Sequence, residues 1–249
     1  MTPHCRYVLR LADTNLVLAQ RLGEWVGHAP ALEEDLGLAN VALDLIGQAR
    51  LLLAHAGELE GRGRDEDALA YLREESEYLN LTLVEQPNGD FGRTIVRQFL
   101  FDAWQHALHE ALERSSDAKL AAIAAKAVKE SSYHLRYSSG WLIRLGDGTP
   151  ESHGRVADAL TRLWPFTSEL FDADDSDRAA AAAGIGPAPG TLAAAWNRTV
   201  DDVLAAATLA RPPAASYVWH GKQGRHSEHL GYLLAEMQSL HRAHPGATW

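Results

Sequence analysis

Residues 39–55, ANVALDLIGQARLLLAH, constrain the fold more than any other stretch of the chain. They are apolar on nearly every side, so a helix made of them has to be packed on several sides. They also carry Asn40, Asp44 and Gln48 at successive intervals of four, a spacing that stacks the three side chains in one row along a helix. An inward polar row on a buried helix needs partners on neighbouring helices, because a buried polar group without a hydrogen bond is costly. The stretch therefore points to a helical bundle, and it raises the question of why the row ends in an amide.

The rest of the sequence is written in the same way. Segments rich in Ala, Leu, Glu and Arg run between short Gly or Pro breaks, with 46% hydrophobic and 22% charged residues overall. That pattern predicts an all-α fold. Long helices are expected over 6–27, 31–57, 90–114 and 117–145, with shorter ones over 65–78, 150–171, 190–208 and 226–243. In the first, Val8, Leu11, Leu18, Leu22 and Trp25 recur at helical spacing, and Glu33, Glu34 and Asp35 suit the positive end of the second. The connections GHAP and RSSD are short, which makes two antiparallel hairpins and suggests one four-helix-bundle domain over 1–249, with the shorter helices packed around an end. The Ala/Gly/Pro-rich run DADDSDRAAAAAGIGPAPG reads as a linker.

Charge excludes some functions. Lys plus Arg number 23 against 33 Asp plus Glu, a formal charge of -10. Such a surface repels nucleic acid and anionic membrane. The lone Cys5 cannot form an internal disulfide, and neither a signal peptide nor an uninterrupted membrane-length apolar run is evident, so a cytoplasmic protein is expected.

Chemistry is most concentrated in the helix over 117–145. Leu120, Ile123, Ala124, Ala127, Trp141, Leu142 and Leu145 define an apolar stripe, and Glu130, Ser131 and His134 fall in its middle. Partners are available from Asp102 and His106 in the preceding helix, from Asp44 and Gln48 in the second, and from Glu24 near the end of the first. One acidic or amide position per long helix resembles the layout of carboxylate-bridged di-metal bundles, in which two helices give a Glu and two give Glu-x-x-His. The spacing argues against a complete site. Three residues before His134 stands Ser131, Glu130 is four before it, and His55 lies almost two turns beyond Gln48. The plainer reading makes these residues a hydrogen-bonded core cluster of Asp44, Gln48, Asp102, Glu130 and His134, with no metal.

Near the C-terminus, GRHSEHLGYLLAEMQ places His226 and His229 three apart around Glu228. A zinc site would need a third ligand that is not nearby. A helix capped by the Ser227 hydroxyl with Glu228 in its first turn accounts for the same residues. No Gly-x-Ser-x-Gly, P-loop or dinucleotide fingerprint is present, and Cys5 has no plausible His partner.

Five stretches, LVLAQRLGEWVGHAPALEEDLGLANVALDLIGQARLLL, LVEQPNGDFGRTIVRQFLFDAW, AAIAAKAVKESSYHLRYSSGWLIRLGDGT, LWPFTSELFDAD and GKQGRHSEHLGYLLAEMQSL, together resemble the C-subunit family of the bacterial ring-1,2-phenylacetyl-CoA epoxidase over essentially the whole chain. The resemblance implies a ferritin-like bundle that is the non-catalytic, structural relative of a di-iron catalytic subunit. It implies a place in a complex that uses oxygen and electrons from a reductase subunit to epoxidise the ring of phenylacetyl-CoA, with no cofactor of its own. Where the catalytic subunit's motif reads Asp-Glu-x-Gly-His, this chain has DLIGQ, so Leu45 and Gln48 stand for an acid and an imidazole. Ser131 stands for the Glu of the second Glu-x-x-His, His134 is kept, and Glu24 and Asp102 match the remaining carboxylates. The resemblance also implies contact with the CoA ester, for which Glu77, Tyr78, Leu79, Asn80 and Arg178 are the candidates. A self-sufficient metalloenzyme using Glu24, Asp102, Glu130, His106 and His134 is the competing expectation. Trp164, Phe166, Phe171, Trp219 and Trp249 lie outside the long helices and are candidates for a partner surface.

Overall fold

The computed structural model describes residues 1–247, and they are all-α, with no β-strand among them. The chain divides into two compact units, Met1–Pro87 joined by the segment from His220 onward, and Asn88–Trp219. Each unit carries one of the expected hairpins.

The first unit is built on α1 (Pro3–Gly23) and α2 (Leu32–Glu60). Thr2 caps α1 by accepting from the Cys5 amide, and Pro3 sits at the first helical position, where its missing N–H costs nothing. α1 ends earlier than Trp25 because the chain turns through residues 24–30, where the Gly27 amide donates to Asp35. α2 opens with three acids against its dipole and ends on Gly61 in the left-handed conformation. Contacts between Cys5 and Ala56 and between Asn15 and Gln48 show that the two helices run antiparallel. α2 is long and apolar enough by length and composition alone to cross a membrane, with an 18-residue window of mean hydropathy 1.4, although Asp44 and Arg50 interrupt its apolar run. Leu38, Val41, Leu45, Leu52 and Ala56 are buried on one side of it, and Asn40, Asp44 and Arg50 lie on the other.

α3 (Glu66–Tyr71) is shorter than expected, because a 3-10 turn over Glu75–Glu77 takes over. The chain then runs buried through Tyr78–Glu85. The C-terminal segment returns onto this run and completes the first unit. Gly221 lies so close to the Asn80 carbonyl, and Gly224 to that of Ser76, that neither position has room for a side chain. Gly224 also has φ +78°, so glycine is required twice over.

The second unit holds α4 (Phe91–Leu112), α5 (Ala118–Gly146) and α6 (Pro150–Leu163). Asp90, Asp117 and Thr149 cap their N-termini through side-chain oxygens. Asp102 of α4 meets Ser138 of α5, and His109 meets Ser131, so this hairpin is also antiparallel. The segment expected as one helix to residue 171 ends α6 at Leu163 and continues as a 3-10 stretch, Trp164–Leu170, where Pro165 removes a helical donor. Within the run expected as linker lies α7 (Asp175–Ala182), started by a reciprocal capping box between Asp174 and Asp177. α8 (Ala193–Ala206) follows, and Gly146 of α5 leaves no room for a Cβ against the Ala207 carbonyl. In the first unit again, α9 (Glu228–Ala243) is capped by Ser227.

Candidate functional site

In the first unit the middle of the hairpin seam is polar through amides, while nearer the start of α1 the ring of His4 meets that of the buried His55 of α2. Gln48 is 4% exposed, and its Oε1 accepts from Asn15 Nδ2 at 3.0 Å. Leu45, one turn earlier, is fully buried. Asp44 is only half-buried, at the edge of α2. Glu24 is exposed at the C-terminal end of α1 and pairs with Arg21 at 2.7 Å, so it stands away from the seam. The inward α1 residue that answers Gln48 is Asn15, within the polar run Asp13-Thr14-Asn15, all of it buried. Three consecutive polar residues inside the apolar run of α1, between Leu11 and Leu16, were the sequence signal for it.

Two buried ion pairs lie beside that seam. Asp13 receives both terminal nitrogens of Arg73, with its Oδ2 also accepting from the Leu79 amide at 2.9 Å. The Arg73 guanidinium lies 4.2 Å from the centre of the Tyr78 ring and donates to the Glu77 carbonyl. Gln238 of α9 donates to the Tyr78 hydroxyl and the Arg73 carbonyl, which fastens the C-terminal helix to the same network. Glu85 is the second centre. Its carboxylate accepts from the Ser227 amide at 2.7 Å, from Asn80 at 3.2 Å and from His226 Nδ1 at 3.1 Å, while His226 Nε2 lies 2.9 Å from the Tyr78 carbonyl. Burial alone would pull the His226 pKa down, but the hydrogen bond and charge of Glu85 outweigh it and raise the pKa above the ordinary value. His226 is thus a carboxylate-bound imidazole, not a member of a pair with His229.

These contacts correct the expected CoA contact. Tyr78, Leu79 and Asn80 are at most 2% exposed, because Arg73, Asp13 and Glu85 draw the backbone of this run inward. They have no face for a ligand. Glu77 is exposed and turns back to accept from the Glu74 amide. Arg178, in the other unit, donates to Asp175 and to the Ala173 carbonyl.

In the second unit the seam is ionisable. Leu120, Ala124, Ala127, Ser131, His134, Ser138 and Leu142 form the buried face of α5. Asp102, fully buried, accepts from Gln98 Nε2 on one oxygen and from Ser138 Oγ on the other, each at 2.7 Å. Burial pushes its pKa up to about 6, against the opposing pull of His134 and of the two hydrogen bonds. Ser131 Oγ lies 3.1 Å from His109 Nδ1 and 3.3 Å from His106 Nδ1. Burial, reinforced by His106 and His134, lowers the His109 pKa to about 3, so this ring is neutral near pH 7. The Ala127 backbone is a further hydrogen-bond partner of this ring, and the Ser131 hydroxyl donates to the Val128 carbonyl at 3.2 Å. Glu130 does not join this cluster. It points to the flank of α5 and pairs with Lys126 at 3.5 Å, because a position one residue from Ser131 is turned by 100° from the buried line.

Gln98, His109 and Ser138 were not singled out from sequence, although Ser138 falls one turn beyond His134 on the same stripe. Of the aromatic residues expected at a partner surface, Trp164 is buried and Phe166, Phe171 and Trp219 are half-buried. Trp164 and Phe171 pack on Trp196, whose Nε1 donates to the Leu100 carbonyl, and Phe166 packs on Trp219. Trp249 lies outside the described residues.

The arrangement is one of buried, proton-bearing side chains held in hydrogen bonds, and the chain as a whole is similar to known proteins. The C subunit of 1,2-phenylacetyl-CoA epoxidase from Escherichia coli (strain K12) is 56% identical over 243 residues, which is 98% of each chain. The family described as phenylacetic acid catabolic protein matches residues 1–249, and the chain belongs to that family.

Proposed function

We propose that this chain is the structural, non-catalytic subunit of a cytoplasmic multicomponent di-iron monooxygenase that epoxidises the aromatic ring of phenylacetyl-CoA. On this reading its fold is ferritin-like, and it pairs with and stabilises a homologous di-iron catalytic subunit served by a reductase. The identity with the Escherichia coli protein supports the complex. The observation that carries the structural role is the seam of the first hairpin. A carboxylate-bridged di-iron centre draws acids and imidazoles from each helix pair, but here the inward positions are Leu45 and an amide pair, Asn15 with Gln48. Ser131 supplies a hydroxyl where the second carboxylate would stand, and both oxygens of Asp102 already accept hydrogen bonds from neutral side chains. That donor set does not fit such a centre.

Iron analysis tests the reading. The purified chain, reconstituted with ferrous iron without oxygen and then desalted, is expected to retain well under one iron per chain and to consume no oxygen alone. Two tightly held irons per chain would refute it. The cluster of Asp102, His106, His109 and His134 is the observation that favours a self-sufficient metalloenzyme. Under that alternative, His134→Ala abolishes an activity of the isolated chain; under the structural reading it lowers stability and there is no such activity to lose.

A further inference from the structure

α2 is covered on one side only. Leu32, Leu36, Leu43, Ile46 and Leu51 are between 39% and 72% exposed, and at 100° per residue they fall with Ala39, Gly47 and Ala54 on one broad stripe opposite the buried face. Singly exposed leucines are ordinary, but a contiguous row along one helix is not. The row exposes on the order of 500 Å² of apolar surface, near the upper limit for a monomer and more than half of one side of a standard interface.

Gly47 adds an independent observation. A Cβ built there would meet nothing within 4 Å, so no element among the described residues packs against it. Glycine inside a helix costs about 0.5–1 kcal/mol relative to alanine, and its usual return is close approach of another backbone. Lying one turn from both Leu43 and Leu51, it forms a notch in the middle of the leucine row. The shape fits a crossing helix.

Charge indicates whose helix. Glu33, Glu34 and Asp35 stand at one end of the row and Asp44 on its edge, while the one base on the face, Arg50, already holds Glu66. A second copy would bring the same acidic rim and another formal charge of -10 to the contact. A non-identical chain with a basic rim would not. We infer that the exposed face of α2, centred on Leu43 and Gly47, docks an apolar, basic-rimmed helix of the catalytic subunit; this rests on the subunit role proposed above.

The test is titration of the full chain against the purified catalytic subunit of the same complex, followed by light scattering and calorimetry. Leu43→Glu is expected to weaken binding about 100-fold and Gly47→Leu about 10-fold, as for changes at the centre of an interface. Both positions face open space, so neither variant should lower the thermal midpoint, and Lys126→Glu on α5 should bind as wild type. Wild-type chain that does not bind the catalytic subunit defeats the subunit reading itself. Binding that survives both changes within threefold, with the wild type binding tightly, overturns the α2 surface alone. So would a wild-type homodimer that Leu43→Glu converts to monomer, or sedimentation with phospholipid vesicles that Leu43→Glu abolishes.

Discussion

The two long hairpins are built alike and treat their inward polar positions differently. α1 and α2 meet through Asn15 and Gln48, two amides that hydrogen-bond with no ion taken out of water. The charges of that unit are set beside the seam, each with an opposite partner: Asp13 with Arg73, Glu85 with His226. α4 and α5 instead keep Asp102, His109 and His134 in the seam, and the hydrogen bonds to Asp102 come from the neutral Gln98 and Ser138. Burial therefore acts on the two hairpins in different ways. In the first it is met by pairing, and in the second it appears as displaced pKa values, upward for Asp102 and downward for His109.

The largest expected effect breaks the pairing. Arg73→Leu leaves the Asp13 carboxylate buried with only the Leu79 amide among its stronger donors, and removing one partner of a buried pair typically costs about 3–5 kcal/mol. Urea denaturation should show a loss of that size, and Asp13→Leu combined with Arg73→Leu should recover most of it, since two apolar side chains leave no ion uncompensated. A single change that costs under about 1 kcal/mol would mean that the pair is not the anchor of this unit.

The next effect belongs to the second hairpin. The Asp102 pKa is raised from 3.8 to about 6, so its contribution to stability is present at low pH and is lost as pH rises through about 6. The folded protein then holds a proton that the unfolded chain has released, and the ionised form costs up to about 3 kcal/mol at pH 8. Asp102→Asn keeps an acceptor for Gln98 and removes the titration. Its thermal midpoint is expected to exceed the wild type's at pH 8 and to change little between pH 5 and 8. A variant as pH-dependent as the wild type would place the titration elsewhere.

His226 offers a smaller effect of the same sign in the first unit, outside the seam. Its pKa is raised, so its contribution is full below about 6.5, the ordinary histidine value, and is lost as pH climbs through the higher folded value. The protection of the α9 amides, the ratio of intrinsic to observed exchange rate, should fall between neutral and alkaline pH in the wild type. In His226→Gln that protection should already be low at neutral pH and nearly flat across that range; a profile unchanged by the substitution would show that Glu85 does not hold α9 through this ring.

Much of this was legible in the sequence because periodicity reports burial. The long helices, their antiparallel turns and the buried positions of Gln48, Asp102, Ser131 and His134 follow from 3.6-residue spacing. Glu130 was misplaced because it neighbours the stripe, and one residue of helix is enough to turn a carboxylate toward Lys126. Tyr78 to Asn80 read as candidates for contact with the CoA ester because no period marks an extended buried run; what buries it is Arg73 and Glu85, whose partners Asp13 and His226 are remote in sequence. α7 was hidden in a linker-like composition, although its Asp174 and Asp177 capping box was present. The outward leucines of α2 looked like core because a helix with two apolar faces does not reveal which one its own chain covers.

The smallest expected effect concerns the amide pair and sharpens the comparison most directly. Gln48→Leu alone leaves the Asn15 amide facing an aliphatic side chain, which costs about 1–3 kcal/mol. Leucine at both positions removes donor and acceptor together, and such paired replacement is nearly neutral when shape is kept. The double variant is therefore expected to be more stable than the single one and to lie within about 1 kcal/mol of wild type. It should also leave the pH profile of stability unchanged, since neither amide titrates. If the double variant instead lost more than the single one, the other contacts of Asn15 and Gln48 would outweigh the bond between them, and the first hairpin would depend on the polar network around the amide pair.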